Sequence, residues 1–154
     1  MTNFQLLSEE EDEKVWKAFY NLFHFEPSID QFPGIKTERV HLKFDIKDCF
    51  SPNYPYDKLE EFALDLFKNI SSPGERLYSL DWHHPSYDFD PRKPMERGEF
   101  DEWIVPIFPN GDYYIFLTKD FNNVWFGHPW EQTITLIGDE IVEFAQKMQP
   151  GFPK

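Results

Sequence analysis

Histidine, aspartate and tryptophan crowd into two short stretches of this chain. One runs from Leu80 to Pro91 as LDWHHPSYDFDP; the other, Phe126 to Trp130, reads FGHPW. Imidazole nitrogens and carboxylate oxygens are the donor set of a divalent-metal site, and two histidines with one carboxylate is a recurring form. Asp81, His84 and His128 are the candidate ligands. In an extended segment His83 shares a face with Asp81 while His84 points the other way, and His128 has to arrive from a distant turn. No helical HxxxH or HExxH spacing supports such a site. The spacing therefore favours the plainer reading, in which the histidines are polar corners of an aromatic cluster and no metal or cofactor is bound.

The same residues suit general acid–base chemistry, with Asp81, Asp88, Asp90 or Asp112 beside a histidine. Asp88 and Asp90 precede a proline and the cations Arg92, Lys93 and Arg97, as in a solvated loop. Asp112 follows Asn110-Gly111 and fits a hairpin turn. There is no G-x-S-x-G nucleophile elbow, P-loop or G-x-G-x-x-G cradle. The lone Cys49 excludes an intramolecular disulfide and a cysteine-cluster zinc site, and reads as an inert, partly buried thiol. No residue is assigned a catalytic role. The candidate binding residues are Asp81, Trp82, His84, Tyr87, Asp112, Tyr114, Trp125, His128 and Trp130.

These side chains must be positioned by a regular frame. Ser8 and Glu11 form a capping box, and the acids Glu9 to Glu13 complement the N-terminal dipole of the helix that follows. Val15, Trp16, Phe19, Tyr20, Leu22 and Phe23 recur on its apolar stripe, and it stops before Pro27. RVHLKFDI alternates as a half-buried strand, with His41 on the solvent side. Asp57 and Glu60 open a second helix carrying Leu59, Phe62, Ala63, Leu66, Phe67 and Ile70. RLYSLDW is a strand, and 83–100 is a long polar loop. EWIVPIF, DYYIFLT, NVWFG and QTITLIG read as four more strands. PNGD links the first two as a tight hairpin, and Gly127 with Pro129 makes the bend between the last two. A helix over 139–148 and a frayed tail, 149–154, close the chain.

The order is α-β-α-β-β-β-β-β-α: one α+β domain spanning 1–154, with an antiparallel sheet of about five to six strands. Its N-terminal, middle and C-terminal helices pack on one face. Aromatic residues make up 19% of the 154, with 17 Phe, 7 Tyr and 5 Trp. Neighbours such as Tyr113 with Tyr114 and Trp125 with Phe126 must point to opposite sides of the sheet. Either both faces are covered, by helices or by the 83–100 loop, or one displays a binding patch.

The formal charge is -13, with a pI near 4.7. Nucleic acid and anionic membranes are excluded as partners and a basic protein is favoured. No leader or membrane-spanning run is present, so a cytoplasmic location is expected; the oligomeric state is left open.

LYSLDWHHPSYDFDP, GDYYIFLTKDF, FGHPWEQTITLIGDEIV and the opening VWKAFYNLFHFEPS resemble an uncharacterised bacterial family, domain of unknown function 2716. In that family's pattern the position of His83 is usually glutamine and His84 keeps the histidine. The resemblance thus implies His84 and His128 as the better pair, and it brings no established activity. A fold-level likeness to Smi1/Knr4-type immunity proteins rests on the late strand–helix order and the acidic charge. The expected function is a non-enzymatic acidic protein-binding module, toxin-neutralising in its sharpest form. The alternative is a small-molecule-binding or metal-dependent hydrolytic enzyme built on the His/Asp/aromatic residues, which requires His84 and His128 to meet at one edge of the sheet.

Overall fold

The computed structural model describes residues 3–27, 32, 34–47, 56–99, 102–109 and 111–148. Cys49, Asn110 and the 149–154 tail lie outside them. So do the side chain of Asp57 and with it the second capping box. Ten elements follow in order: β1 (Phe4–Leu6), α1 (Glu9–Phe23), β2 (His41–Asp45), α2 (Tyr56–Asn69), β3 (Leu77–Asp81), β4 (Tyr87–Phe89), β5 (Tyr114–Thr118), β6 (Val124–His128), β7 (Thr133–Ile137) and α3 (Asp139–Met148). The strands form a single seven-stranded antiparallel sheet in the order β1-β4-β3-β5-β6-β7-β2. The chain is an α+β fold, as the residue pattern predicts, with more strands than expected.

The helix signals hold. Ser8 is the N-cap of α1 and its hydroxyl accepts the N–H of Glu11, while His24 ends the helix in a left-handed conformation. Val15, Phe19 and Phe23 of α1 are buried, whereas Tyr20 and Leu22 of the expected stripe are exposed. All six apolar residues named for α2 are buried, and α3 covers the expected 139–148.

The helices do not share a face. Val15, Phe19 and Phe23 join Leu80, Tyr113, Ile115, Leu117, Val124, Phe126 and Ile137 in one core. Leu59, Phe62, Leu66, Phe67, Ile141 and Val142 join Phe89, Phe116, Trp125, Ile134 and Leu136 in the other. Both sheet faces are thus covered, which is why adjacent aromatics along β5 and β6 are all buried. Each such ring contributes roughly 1.5–3 kcal/mol by leaving water. The aromatic surplus is spent on two cores.

Two segments differ from the pattern-based reading. EWIVPIF keeps its alternation, with Trp103, Val105 and Ile107 buried, but it joins the sheet nowhere. An isolated bridge between Arg97 and Trp103 is its one ladder-like contact among the described residues, and Pro106 has no N–H to give a strand neighbour. It packs as an irregular cover, where the Ile107 carbonyl accepts the Trp125 indole N–H at 3.3 Å. The supposed loop 83–100, in contrast, contains β4. Asn3 explains its order: the Asn3 carbonyl accepts from Asp90 N and its side-chain oxygen from Glu96 N, both at 2.8 Å. Asp90 is consequently buried rather than solvated. Arg92 is exposed, as expected of a loop cation, but it is not without partners. Its guanidinium donates to the carbonyls of Lys68, Ser71 and Ser72, closing the C-terminal end of α2, where a positive charge is favoured.

Candidate functional site

β3 ends at Asp81, and the chain then makes a short knuckle, Trp82 to Pro85, before β4. Ser86 fixes the return. Its hydroxyl accepts the N–H of Asp81 at 3.2 Å, its carbonyl accepts the N–H of Leu7, and the residue is buried. Asp112 precedes β5, the neighbour of β3, so the antiparallel pairing that sets Asp81 opposite Tyr114 also brings Asp112 to the knuckle.

Both carboxylates are buried, at 5% exposure for Asp81 and 4% for Asp112. Asp81 Oδ1 accepts the backbone N–H groups of His83 and His84, each at 3.1 Å. Asp112 Oδ2 accepts the His83 N–H at 3.2 Å, and Asp112 Oδ1 accepts that of Tyr113 at 2.8 Å. The imidazoles complete the group. His84 Nδ1 lies 3.1 Å from Asp81 Oδ1 and 3.6 Å from Asp112 Oδ2, while His83 Nδ1 lies 3.0 Å from Asp112 Oδ1. The histidine side chains are 54% and 67% exposed. The result is a pair of buried acids under a lid of two solvent-facing imidazoles.

Burial pushes the Asp81 carboxyl well above its ordinary range, to about 7. The hydrogen bond and charge of Asp112 push the same way, and His84 offsets them only in part. Two carboxylates held together cannot both ionise at their usual acidity. The same pair acts on its surroundings. Tyr114 is raised by burial and then by the charges of Asp81 and Asp112, and Tyr87 by burial, Glu96 and Asp81.

Trp82 is 37% exposed. Its indole packs on His83 with centroids 4.4 Å apart, and its Nε1–H donates to the Tyr20 hydroxyl at 3.2 Å. Tyr20 stands on the exposed side of α1, so this bond ties the knuckle to the helix that covers one sheet face.

Four of the expected binding residues therefore come together: Asp81, Trp82, His84 and Asp112. Tyr87 and Tyr114 stand behind them and feel their charge. The remaining three do not join. Trp125 is wholly inside the α2–α3 core, and Trp130 is exposed on the turn after β6. His128 is fully buried on the α1 side, against Phe32 and Tyr113 with ring centroids at 4.8 Å. The group that offers mutually close metal-ligating atoms among the described residues is Asp81, His84 and Asp112, without His128. The two-histidine pairing that the alternative reading requires across the sheet edge is not what the fold builds. Nor do Gly127 and Pro129 make the bend together. Gly127 lies within β6, where a Cβ would stand 3.0 Å from that of Pro109, and Gln132 supplies the left-handed residue at φ 61°.

Sequence reasoning missed His83 and Tyr20. His83 carried a usable signal, its shared face with Asp81, outweighed by the family's glutamine at that position. Tyr20 carried none, because its hydroxyl meets Trp82 only through the packing of α1.

The family model described as "Protein of unknown function (DUF2716)" matches residues 6–142. The chain is also 32% identical to the uncharacterized protein YxiI of Bacillus subtilis (strain 168), over 97% of this chain and 96% of that protein. No solved structure matches. The chain belongs to the DUF2716 family. No helix among the described residues is long and apolar enough to cross a membrane.

Proposed function

We propose that this DUF2716 protein is a non-enzymatic, acidic binding module that docks a basic protein, with the Trp82–His84 knuckle as its contact point. The carrying observation is the part-exposed Trp82 indole, held by Tyr20 and packed at a tilt against a histidine that is itself bonded to Asp112. A fixed, part-exposed aromatic ring suits an arginine or lysine, which gains from the ring face. The charge of -13 adds long-range attraction for a cationic surface and speeds encounter. Neutralisation of a basic toxin is the sharpest form of this reading.

The test is affinity capture from the native host at low ionic strength, with the wild type and Trp82→Ala side by side. A basic protein held in stoichiometric amount by the wild type, released by salt and not held by the variant, is the expected outcome. Equal retention by both proteins sinks the proposal, as does the absence of any salt-sensitive partner.

A further inference from the structure

We infer that Asp81, Asp112 and His84 form a binding site for a divalent first-row transition cation, of the Zn²⁺ or Mn²⁺ type. One nitrogen of His84 and one oxygen from each aspartate lie within 4.8 Å of one another. A tetrahedral site with metal–ligand bonds of about 2.0–2.1 Å separates its ligand atoms by about 3.3 Å. The His84 Nδ1 separations of 3.1 Å to Asp81 and 3.6 Å to Asp112 bracket that value. Small side-chain rotations complete the shell.

Placement and burial point the same way. The two aspartates come from different strand ends, both more than nine-tenths buried, and face one another. Two like charges in a poorly solvated place are costly unless a cation or a proton stands between them. Here the rest of the fold orients them. Asp112 Oδ1 is occupied by His83 Nδ1 and the Tyr113 N–H, and Oδ2, which accepts the His83 N–H, is the oxygen turned to His84. The backbone N–H groups of His83 and His84 fix Asp81 through Oδ1, the oxygen that faces His84 Nδ1. Such outer partners are what hold metal ligands in register. His83 is thus a positioning residue and not a ligand. His84 is the exposed member, so the free coordination position opens to solvent, as in sites that bind a further ligand. The imidazole directs the choice of ion, because Mg²⁺ and Ca²⁺ prefer all-oxygen shells.

The experiment titrates the chelator-stripped full chain with Zn²⁺ and, separately, Mn²⁺ by calorimetry. Absorption of a Co²⁺-loaded sample reports the ligand geometry. The expected result is one equivalent bound by the wild type with at least one of the two ions, and at least 10-fold weaker binding by His84→Ala and by Asp112→Asn. His84→Ala is the decisive arm, since a side chain two-thirds exposed is removed without disturbing the core; circular dichroism of the metal-free variants checks this. No saturable binding of either ion by the wild type overturns the inference. So does a His84→Ala protein that binds as tightly as the wild type, the outcome expected if these contacts are only histidine–aspartate ion pairs. The docking proposal is read from a different property, so either can fail alone.

Discussion

His128 Nδ1 accepts two backbone N–H groups of the turn that follows it, those of Trp130 at 3.3 Å and Glu131 at 3.1 Å. An imidazole nitrogen that accepts carries no proton, so the neutral ring bears its proton on Nε2. That atom is buried and has no hydrogen-bond partner among the described residues. Its surroundings are the rings of Phe32, Tyr113 and Phe126. Within the Gly-His-Pro-Trp stretch, His128 is therefore a turn clamp inside the aromatic layer, while Trp130 stays exposed.

Replacing His128 by alanine removes both acceptor contacts and leaves a void among three aromatic rings. The expected loss is about 2–4 kcal/mol of stability, read as a fall in the urea midpoint. A variant as stable as the wild type excludes the clamp.

The same residue makes stability depend on pH. Burial lowers His128 from its ordinary 6.5 to about 4, Lys43 adds to the lowering, and Glu131 opposes it. Between those values the unfolded chain binds more protons than the folded one, so stability rises with pH. The contribution is complete above pH 6.5, declines as pH falls through the window, and amounts to roughly 3 kcal/mol at most. Urea titrations at pH 7 and pH 4.5 should separate by about 2 kcal/mol more in the wild type than in His128→Phe, whose ring suits the layer and does not titrate. Equal separations in both proteins refute the assignment.

The frame was legible wherever local chemistry decides it. Ser8, the alternation of β2 and the apolar spacing of α2 and α3 each specify their element without help. The two misread segments were set by distant partners. Asn3 orders the chain near Asp90 and Glu96 from some ninety positions away, and Trp125 receives 102–108 as a cover through the Ile107 carbonyl. The site divides likewise. Asp81 and His84 are three residues apart and could be paired by eye. Asp112 reaches them only through the β3–β5 register, and His128 is excluded because β6 presents it to the α1 side.

Asn123 links the β5–β6 turn to α3. Its side-chain oxygen accepts the Ile141 N–H at 3.0 Å, in the first turn of that helix, and its amide donates to Glu140 at 3.2 Å. The residue is buried, so water does not replace these bonds. Asn123→Ala should cost about 1–2 kcal/mol, the range for a lost helix cap. Asn123→Asp, which keeps an acceptor but faces Glu140, should recover only part of it. Denaturant midpoints of the three proteins give the ranking, and an alanine variant equal to the wild type would show that the cap is dispensable.

Two glycines at opposite ends of the sheet, before β5 and after β7, separate backbone strain from crowding. Gly111 and Gly138 both have positive φ, at 83° and 124°. A side chain at Gly111 meets nothing within 4 Å, whereas a Cβ at Gly138 would overlap the Asn122 carbonyl oxygen and press on the Asn123 side chain at 2.9 Å. Gly138 also sits between β7 and α3, where its N–H donates to the Val40 carbonyl and its carbonyl accepts from Val142, so the backbone has little room to yield. Alanine at position 111 should therefore cost only the conformational penalty, about 1 kcal/mol. At position 138 it should cost about 3 kcal/mol or more and disturb the cap that Asn123 provides. Thermal melts of Gly111→Ala and Gly138→Ala check the difference. Comparable losses in the two variants would mean that φ alone, not the approach of the Asn122 carbonyl, fixes glycine at the start of α3.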